Sequence, residues 1–150
     1  MKGKIKILLA VAVLLVGIPT MLVSAKTVVV RVRADVEWVD TGIYVQAGET
    51  YTLKTHGIAW TGSPSEWPDS KSGPGGQTWH DPCSSNVEPE PCNLDGAPYG
   101  ALIGQVNGHA FLIGDAASFE APQEGSLWLG VNDDLIYHDD NLAGFTVQFK

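Results

Sequence analysis

Short segments of alternating apolar and polar residues recur along residues 28–149, and they constrain the fold more than any other feature of the chain. In residues 28–33 (VVVRVR), Val28, Val30 and Val32 alternate with Val29 and two arginines. A period of two places every second side chain on the same face of a β-strand. No segment after residue 26 shows the 3.6-residue apolar period of an amphipathic helix. The pattern therefore predicts an all-β domain.

Further strands are predicted where the alternation returns. They cover residues 38–46, 51–58, 101–106, 110–113, 118–121, 127–131 and 145–149. Asn107 and Gly108 lie between two of them and are a strong signal of a β-hairpin. Seven or eight short strands joined by Gly, Pro and Asn turns predict an antiparallel β-sandwich of jelly-roll type. A small β-barrel is the alternative that the strand pattern leaves open.

The first 25 residues have the pattern of a signal peptide. Three lysines precede a run of ten apolar residues, and residues 23–25 (VSA) resemble a cleavage site. We therefore expect an exported protein, extracellular or periplasmic, with a single domain over residues 26–150. The alternative is an uncleaved membrane anchor, although Gly17 and Pro19 interrupt the apolar run. No later segment is apolar over the length that a bilayer requires.

Charge and cysteine content narrow the possible partners. The net charge is −8 at pH 7, and loss of the leader lysines would make it more negative. Nucleic acid and anionic lipid are poor partners for such a surface. Cys83 and Cys92 are the only cysteines, which in an exported protein predicts a disulfide. A zinc pair is the alternative, but two more ligands at metal spacing are missing.

Residues 132–141 (NDDLIYHDDN) concentrate oxygen donors between two apolar strands. Four carboxylates and two amides lie within these ten residues, with one histidine and no thiol. Ca²⁺ takes about six to eight such hard oxygen ligands, including backbone carbonyls. The segment lacks the spacing of an EF-hand. A solvated acidic turn is the alternative, because Asp and Asn are common in turns. His138 lies in this segment without a second imidazole at metal spacing, and we expect it to be structural.

Residues 61–98 interrupt the strand pattern. They show neither a strand nor a helix period and hold seven of the nine prolines, together with Trp67, Trp79 and His80. Loops of this length inside compact domains are usually functional or disordered. The two tryptophans and the expected disulfide favour an ordered, functional loop. Each tryptophan there, and Trp60 just before it, could present an apolar face to a sugar ring.

Several segments together resemble one family, the LecA-like (PA-I type) galactose-binding lectins of bacteria. The similar segments, which occur in the order of that family, are residues 36–42 (VEWVDTG), 100–108 (GALIGQVNG), 119–122 (FEAP), 125–133 (GSLWLGVND) and 140–145 (DNLAGF). The resemblance extends over most of residues 35–149 and is strongest after residue 99. It implies a galactose-binding-domain-like β-sandwich with a Ca²⁺ ion at one end.

The resemblance also implies residue roles. The Ca²⁺ ligands would be the carboxylate of Asp133, the backbone carbonyl of Tyr137, side-chain oxygens of Asp140 and Asn141, and a carbonyl near Thr61. A sugar would add two vicinal hydroxyls to the ion and would contact Asp133, Asp134, Tyr137 and Asp140. His80 and Trp79 are further candidate sugar contacts by their side chains and their place in the long loop, and not by a match to the family's motif. The family has an amide where Asp140 stands, so this site carries one more negative charge. The family's loop histidine and glutamine have no clear counterparts here.

The function expected from these features is calcium-dependent binding of galactose or a related sugar by a secreted lectin that is not an enzyme. Lectins of this type often assemble, so a homo-oligomer is possible. One alternative is a structural or adhesive β-sandwich that Ca²⁺ merely stabilises. Another is a glycoside hydrolase using Asp133 and Asp140. A hydrolase needs one acid with a raised pKa, whereas Ca²⁺ beside both would hold them ionised.

Overall fold

The computed structural model describes residues 27–78, 82–83 and 91–150, and within them nine strands form two antiparallel sheets. The strands are β1 (Val28–Arg33), β2 (Val39–Val45), β3 (Thr50–Trp60), β4 (Lys71–Ser72), β5 (Leu102–Val106), β6 (His109–Leu112), β7 (Ser118–Glu120), β8 (Gly125–Val131) and β9 (Leu142–Phe149). One sheet has the order β1-β9-β3-β4, with β7 paired to the start of β3. The other has the order β2-β8-β5-β6.

This architecture confirms the predicted β-sandwich. The barrel alternative fails, because no ladder between the described strands joins the two sheets. Among the described residues there is also no helix with the length and apolar character needed to cross a bilayer. The predicted leader, residues 1–25, lies outside the described residues.

The alternating residues of the strands form the core between the sheets. In β1, Val30 and Val32 are buried while the arginines that alternate with them are exposed. The alternating residues Phe145, Val147 and Phe149 of β9 are also buried. The opposite sheet contributes Leu102, Val106, Leu127, Leu129 and Val131 to the same cluster. Burial of each large side chain contributes about 1.5–3 kcal/mol, so this pattern explains why the sheets face each other.

The connection between β8 and β9 crosses from one sheet to the other. It runs through residues 132–141 and includes a short 3₁₀ turn, η1, at His138–Asp140. Trp60 pairs with Leu142, so the turn after β3 lies beside the end of this crossing. Leu102 pairs with Val131, which brings the segment before β5 beside its start. Three separate chain segments therefore meet at one end of the sandwich.

The long segment 61–98 is more regular than its sequence indicates. We predicted no strand there, and this is wrong at β4, which pairs with Ala59 and Trp60 of β3. A strand of two residues is too short to display a period. The adjoining Gln77 is buried and donates from Nε2 to Thr61 Oγ1 and to the Ser70 carbonyl, both at 2.8 Å. The segment therefore packs against the end of β3.

Candidate functional site

An open cleft of about 730 Å³ lies where the three chain segments meet. Its walls combine acidic and aromatic side chains. They include the carboxylates of Asp69, Asp133, Asp134 and Asp140 and the rings of Trp67, Tyr99 and Tyr137. No lysine, arginine or histidine is among the described lining residues. The cleft is therefore strongly acidic and accessible to small ligands.

Asp133 is the most buried carboxylate of the cleft, with 5% of its surface exposed. Its Oδ2 accepts a hydrogen bond of 2.7 Å from Asn141 Nδ2, and its Oδ1 accepts one of 2.9 Å from the Asp134 backbone N–H. The ion pair seen among the described residues joins Arg33 and Asp35, and no described lysine or arginine pairs with Asp133, although nearby His138 acts to lower its pKa. Burial raises the pKa of Asp133 to about 6, against the opposing effect of the hydrogen bond from Asn141.

Asn141 lies directly behind Asp133 and is almost fully buried. Its Oδ1 accepts a bond of 2.8 Å from the Gly62 N–H, and its Nδ2 also donates to the Ala34 carbonyl at 3.1 Å. The amide thereby ties the turn after β3 to the crossing segment and orients Asp133. An amide oxygen has two lone pairs, so Oδ1 can accept the Gly62 N–H and still serve as a ligand.

Asp140 and Tyr137 approach the cleft from η1 and the residue before it. Asp140 is exposed, and partial burial first, then the negative charge of neighbouring Asp139, raises its pKa. The backbone of Tyr137 closes a turn by donating to the Asp134 carbonyl at 3.2 Å. Its side chain is exposed on the cleft wall. Both residues therefore reach the cleft that contains Asp133.

Thr61 completes the set of predicted ligands from the opposite wall. It is the residue after β3 and lines the cleft, with its backbone N–H donating to the Ser70 carbonyl at 3.2 Å. Of the five residues predicted to bind Ca²⁺, four thus line the cleft and the fifth, Asn141, supports it from behind.

The residues around this cleft fit a Ca²⁺ ion. The donor set consists of oxygens, which hard divalent cations prefer. Asp133 is a buried carboxylate with which no described lysine or arginine pairs, and burying a charge without such a partner is costly. Asp133 and Asp140 are the charged groups that would hold the ion, with carbonyl oxygens near Thr61 and Tyr137 as neutral ligands.

A disulfide strap supports the loop that carries Asp133. Cys83 and Cys92 are joined, as predicted, which excludes the alternative of a zinc pair at these two sulfurs. Residues 91–93, which include Cys92 and form the strap, run beside the crossing segment. Asn93 N–H donates to the Asp133 carbonyl at 3.1 Å, and Leu135 N–H donates to the Pro91 carbonyl at 2.9 Å. The covalent link thus restrains the backbone on which the acidic residues sit.

Asp134 faces this strap as well as the cleft. Its Oδ1 accepts a bond of 3.0 Å from the Tyr99 hydroxyl. The same oxygen lies 3.8 Å from each disulfide sulfur, a packing contact because a disulfide has no S–H to donate. The sequence places Asp134 among the sugar contacts, and the structure places it on the cleft wall with a bonded partner.

Two polar residues of the crossing segment, Asn132 and His138, have structural roles, and the sequence indicates only that of His138. Asn132 is fully buried, and its amide donates to the carbonyls of Leu94, Ala97 and Pro98 while accepting from the Leu94 N–H. His138 is buried as expected for a structural residue, with Nδ1 at 3.3 Å from the Ala34 carbonyl and Nε2 at 2.9 Å from Asn93 Oδ1. Both side chains are therefore engaged in holding the loop.

The long loop contributes part of the cleft wall, and the two sugar contacts predicted from it stay predictions. Trp79 and His80, predicted to contact a sugar, lie outside the described residues. Among the described residues of this loop, Trp67, Asp69 and Gln77 line the cleft. Trp67 is recognisable in the sequence only as one of several aromatic candidates. Gln77 and Asp69 give no signal, because nothing in their spacing connects them to residues 133–141.

The fold matches that of a solved lectin domain. The chain is similar to a structure described as "EclA N-terminal domain; PllA-like lectin", with a TM-score of 0.59 and 22% identity over 81% of this chain and 92% of that one. No protein-family model matches the sequence. No curated protein matches it either. The expected similarity to a lectin is therefore confirmed at the level of the β-sandwich fold.

Proposed function

We propose that this protein is a calcium-dependent lectin that binds galactose or a related sugar in the acidic cleft. The observation that carries the proposal is the buried carboxylate of Asp133, which opens onto the cleft and has no described lysine or arginine as a partner. The similar solved domain is described as a PllA-like lectin, and the sequence resembles the LecA-like lectins. Both likenesses support carbohydrate as the class of ligand.

The proposed binding mode follows from the chemistry of the lining residues. When bound, Ca²⁺ would supply positive charge and coordination positions for two vicinal hydroxyls of a sugar. Asp133 and Asp140 can accept hydrogen bonds from hydroxyls beside them, and bonds to carboxylates are stronger than bonds between neutral groups. Asn141 would keep Asp133 in place through its bond of 2.7 Å. In this proposal these residues bind and orient the ligand, and the protein is not an enzyme.

The test is a calorimetric titration of galactose into the protein with Ca²⁺ and again with excess EDTA. We expect heat of binding with Ca²⁺ and none with EDTA. Asp133→Asn should abolish both Ca²⁺ and sugar binding. Asp139→Asn is the matched control, since it removes the same charge from the same segment but Asp139 is not among the cleft-lining residues. Sugar affinity that is unaffected by EDTA would refute the proposal.

A second candidate is a structural sandwich in which Ca²⁺ only links the sheets. It is favoured by the crossing of residues 132–141 from β8 of one sheet to β9 of the other. A ligand that binds only the native state stabilises it by mass action. This candidate predicts a melting temperature that rises with Ca²⁺ while a broad glycan array stays silent. The lectin predicts a signal in both measurements.

A glycoside hydrolase deserves one direct test, because the raised pKa of Asp133 is a property that a general acid requires. Hydrolysis of aryl galactosides should be measured with Ca²⁺ and with EDTA. We expect none with Ca²⁺, because the proposed ion would hold Asp133 ionised. We also expect none with EDTA, because in this proposal the sugar does not bind without the ion. Turnover that Asp133→Asn abolishes without loss of Ca²⁺ binding would favour the hydrolase.

We further propose that the protein is exported, on the strength of the leader-like residues 1–25. The Cys83–Cys92 disulfide supports export, because disulfides persist in the oxidising compartments outside the cytoplasm. Assembly into a homo-oligomer is part of the same proposal, because several linked sites would raise avidity for surface glycans. Sedimentation velocity of the mature protein would measure the oligomeric state directly.

A further inference from the structure

Trp67 is a large apolar side chain left exposed at the wall of the acidic cleft. It exposes 64% of its surface, although a tryptophan in a monomeric domain usually buries most of its ring. Its backbone is nevertheless fixed: Trp67 N–H donates to the Ser63 carbonyl at 2.8 Å, and its own carbonyl accepts from Ser70 N–H at 3.0 Å and Ser70 Oγ at 2.8 Å. The ring is thus presented from a tight, hydrogen-bonded turn.

The indole is also seated against the backbone of Gly62. A Cβ at Gly62 would lie 3.2 Å from Trp67 Cδ1, which is tighter than an ordinary van der Waals contact. The φ of Gly62 is +118°, a conformation that side chains other than glycine rarely adopt. The Gly62 N–H in turn donates to Asn141, which holds Asp133. Two hydrogen bonds therefore connect the support of the ring to the most buried carboxylate of the cleft.

The charge of the cleft sets a second condition on its ligand. Four carboxylates line it, at Asp69, Asp133, Asp134 and Asp140, with no basic side chain among the described lining residues. One divalent cation would neutralise only two of these four charges. Glu66, beside Trp67 in the sequence, adds to the negative potential felt by Asp140. With one divalent cation bound, the cleft would therefore remain anionic and would repel a negatively charged ligand.

We propose that Trp67 is a specificity-determining residue that stacks on the apolar face of a hexopyranose, and that the surplus of carboxylates selects neutral and amino sugars over sugar acids. This inference rests on the proposed lectin function and adds to it the chemical class of the ligand. An aromatic ring offers the C–H face of a pyranose a flat, weakly negative surface. The same ring and carboxylates favour an ammonium group on the sugar.

The experiment measures affinities for galactose, galactosamine and galacturonate by calorimetry, with Ca²⁺ present and at low ionic strength. We expect galactosamine to bind about fivefold tighter than galactose and galacturonate about fivefold weaker, with both differences shrinking at high salt. Trp67→Ala should weaken all three by about tenfold, and Trp67→Phe by less, because the smaller ring retains part of the stacking surface. The Ca²⁺ affinity should be the same in all variants.

Tyr44→Ala is the matched control, since Tyr44 is 60% exposed on β2 and is not among the cleft-lining residues. It should leave all three affinities unchanged. Sugar binding that Trp67→Ala does not alter, or galacturonate binding as well as galactose, would overturn this inference while the lectin function stands. Ca²⁺ binding without binding of any of the sugars would refute the proposed function and this inference with it.

Discussion

Replacing Asp133 with asparagine should make the calcium-free protein more stable near neutral pH. Burial raises the pKa of Asp133 from 3.8 to about 6. The native state therefore keeps this proton over a range in which the unfolded chain has lost it. The stability contributed by the group is complete below pH 3.8 and is lost as the pH rises through about 6.

The magnitude follows from the size of the shift. One pKa unit corresponds to about 1.4 kcal/mol, so ionised Asp133 costs the calcium-free protein about 3 kcal/mol above pH 6. Asparagine removes that cost but cannot accept both hydrogen bonds, from Asn141 and from the Asp134 N–H, which subtracts about 1 kcal/mol. The net expectation is a gain of about 2 kcal/mol near pH 7.5.

Urea denaturation in the presence of EDTA measures this difference. The gain should be present near pH 7.5 and should vanish near about pH 4.5, where the native carboxyl is protonated. With Ca²⁺ at about one hundred times its Kd, the wild-type protein should gain about 2.7 kcal/mol and the variant almost nothing. With Ca²⁺, the wild-type protein would then be at least as stable as Asp133→Asn.

Two results would refute this reasoning. If the variant is less stable than the wild-type protein in EDTA near pH 7.5, the buried charge of Asp133 is not a cost to the fold. If Ca²⁺ stabilises both proteins equally, Asp133 is not a ligand. A parallel series on Asp139→Asn controls for the general loss of one negative charge from the segment.

Three further predictions concern the support of the site. In urea denaturation, Asn132→Ala should lower the free energy of unfolding by about 3–5 kcal/mol, because it leaves buried backbone groups unpaired. The control Asn107→Gly removes one exposed hydrogen bond and should change that free energy by under about 1 kcal/mol. Reducing the Cys83–Cys92 disulfide should lower the free energy of unfolding by about 2–3 kcal/mol in the same assay. An unchanged urea midpoint would show that the disulfide does not stabilise the fold. Gly144→Ala would place a Cβ in steric conflict with the Val32 carbonyl oxygen and should cost over about 3 kcal/mol, measured as a lower melting temperature. A melting temperature equal to that of the wild-type protein would contradict this.

The strand pattern predicts the fold because burial selects the same residues that the alternation marks. Val30, Val32 and the three apolar residues of β9 lie on the core side as their period requires. The alternation does not mark β4, because this strand has only two residues, which pair with Ala59 and Trp60 of β3. Their side chains carry no periodic signal.

The candidate site is predictable where it is local in sequence and unpredictable where it depends on distant contacts. The oxygen-rich residues 132–141 stand out from composition alone, and Asp133 and Asp140 do line one cleft. Composition does not distinguish Asn132, which holds the loop, from Asp133, which faces the cleft. That division depends on carbonyls more than 30 residues away in sequence, at Leu94, Ala97 and Pro98.

The crossing of residues 132–141 between the sheets has a mechanical consequence. β8 and β9 belong to different sheets, and both contribute to the core. A cation held by residues between them would crosslink the two sheets. The force needed to separate the sheets would then depend on the Ca²⁺ concentration. Amide hydrogens of both strands should then exchange more slowly when the ion is added, although the strands lie largely outside the cleft.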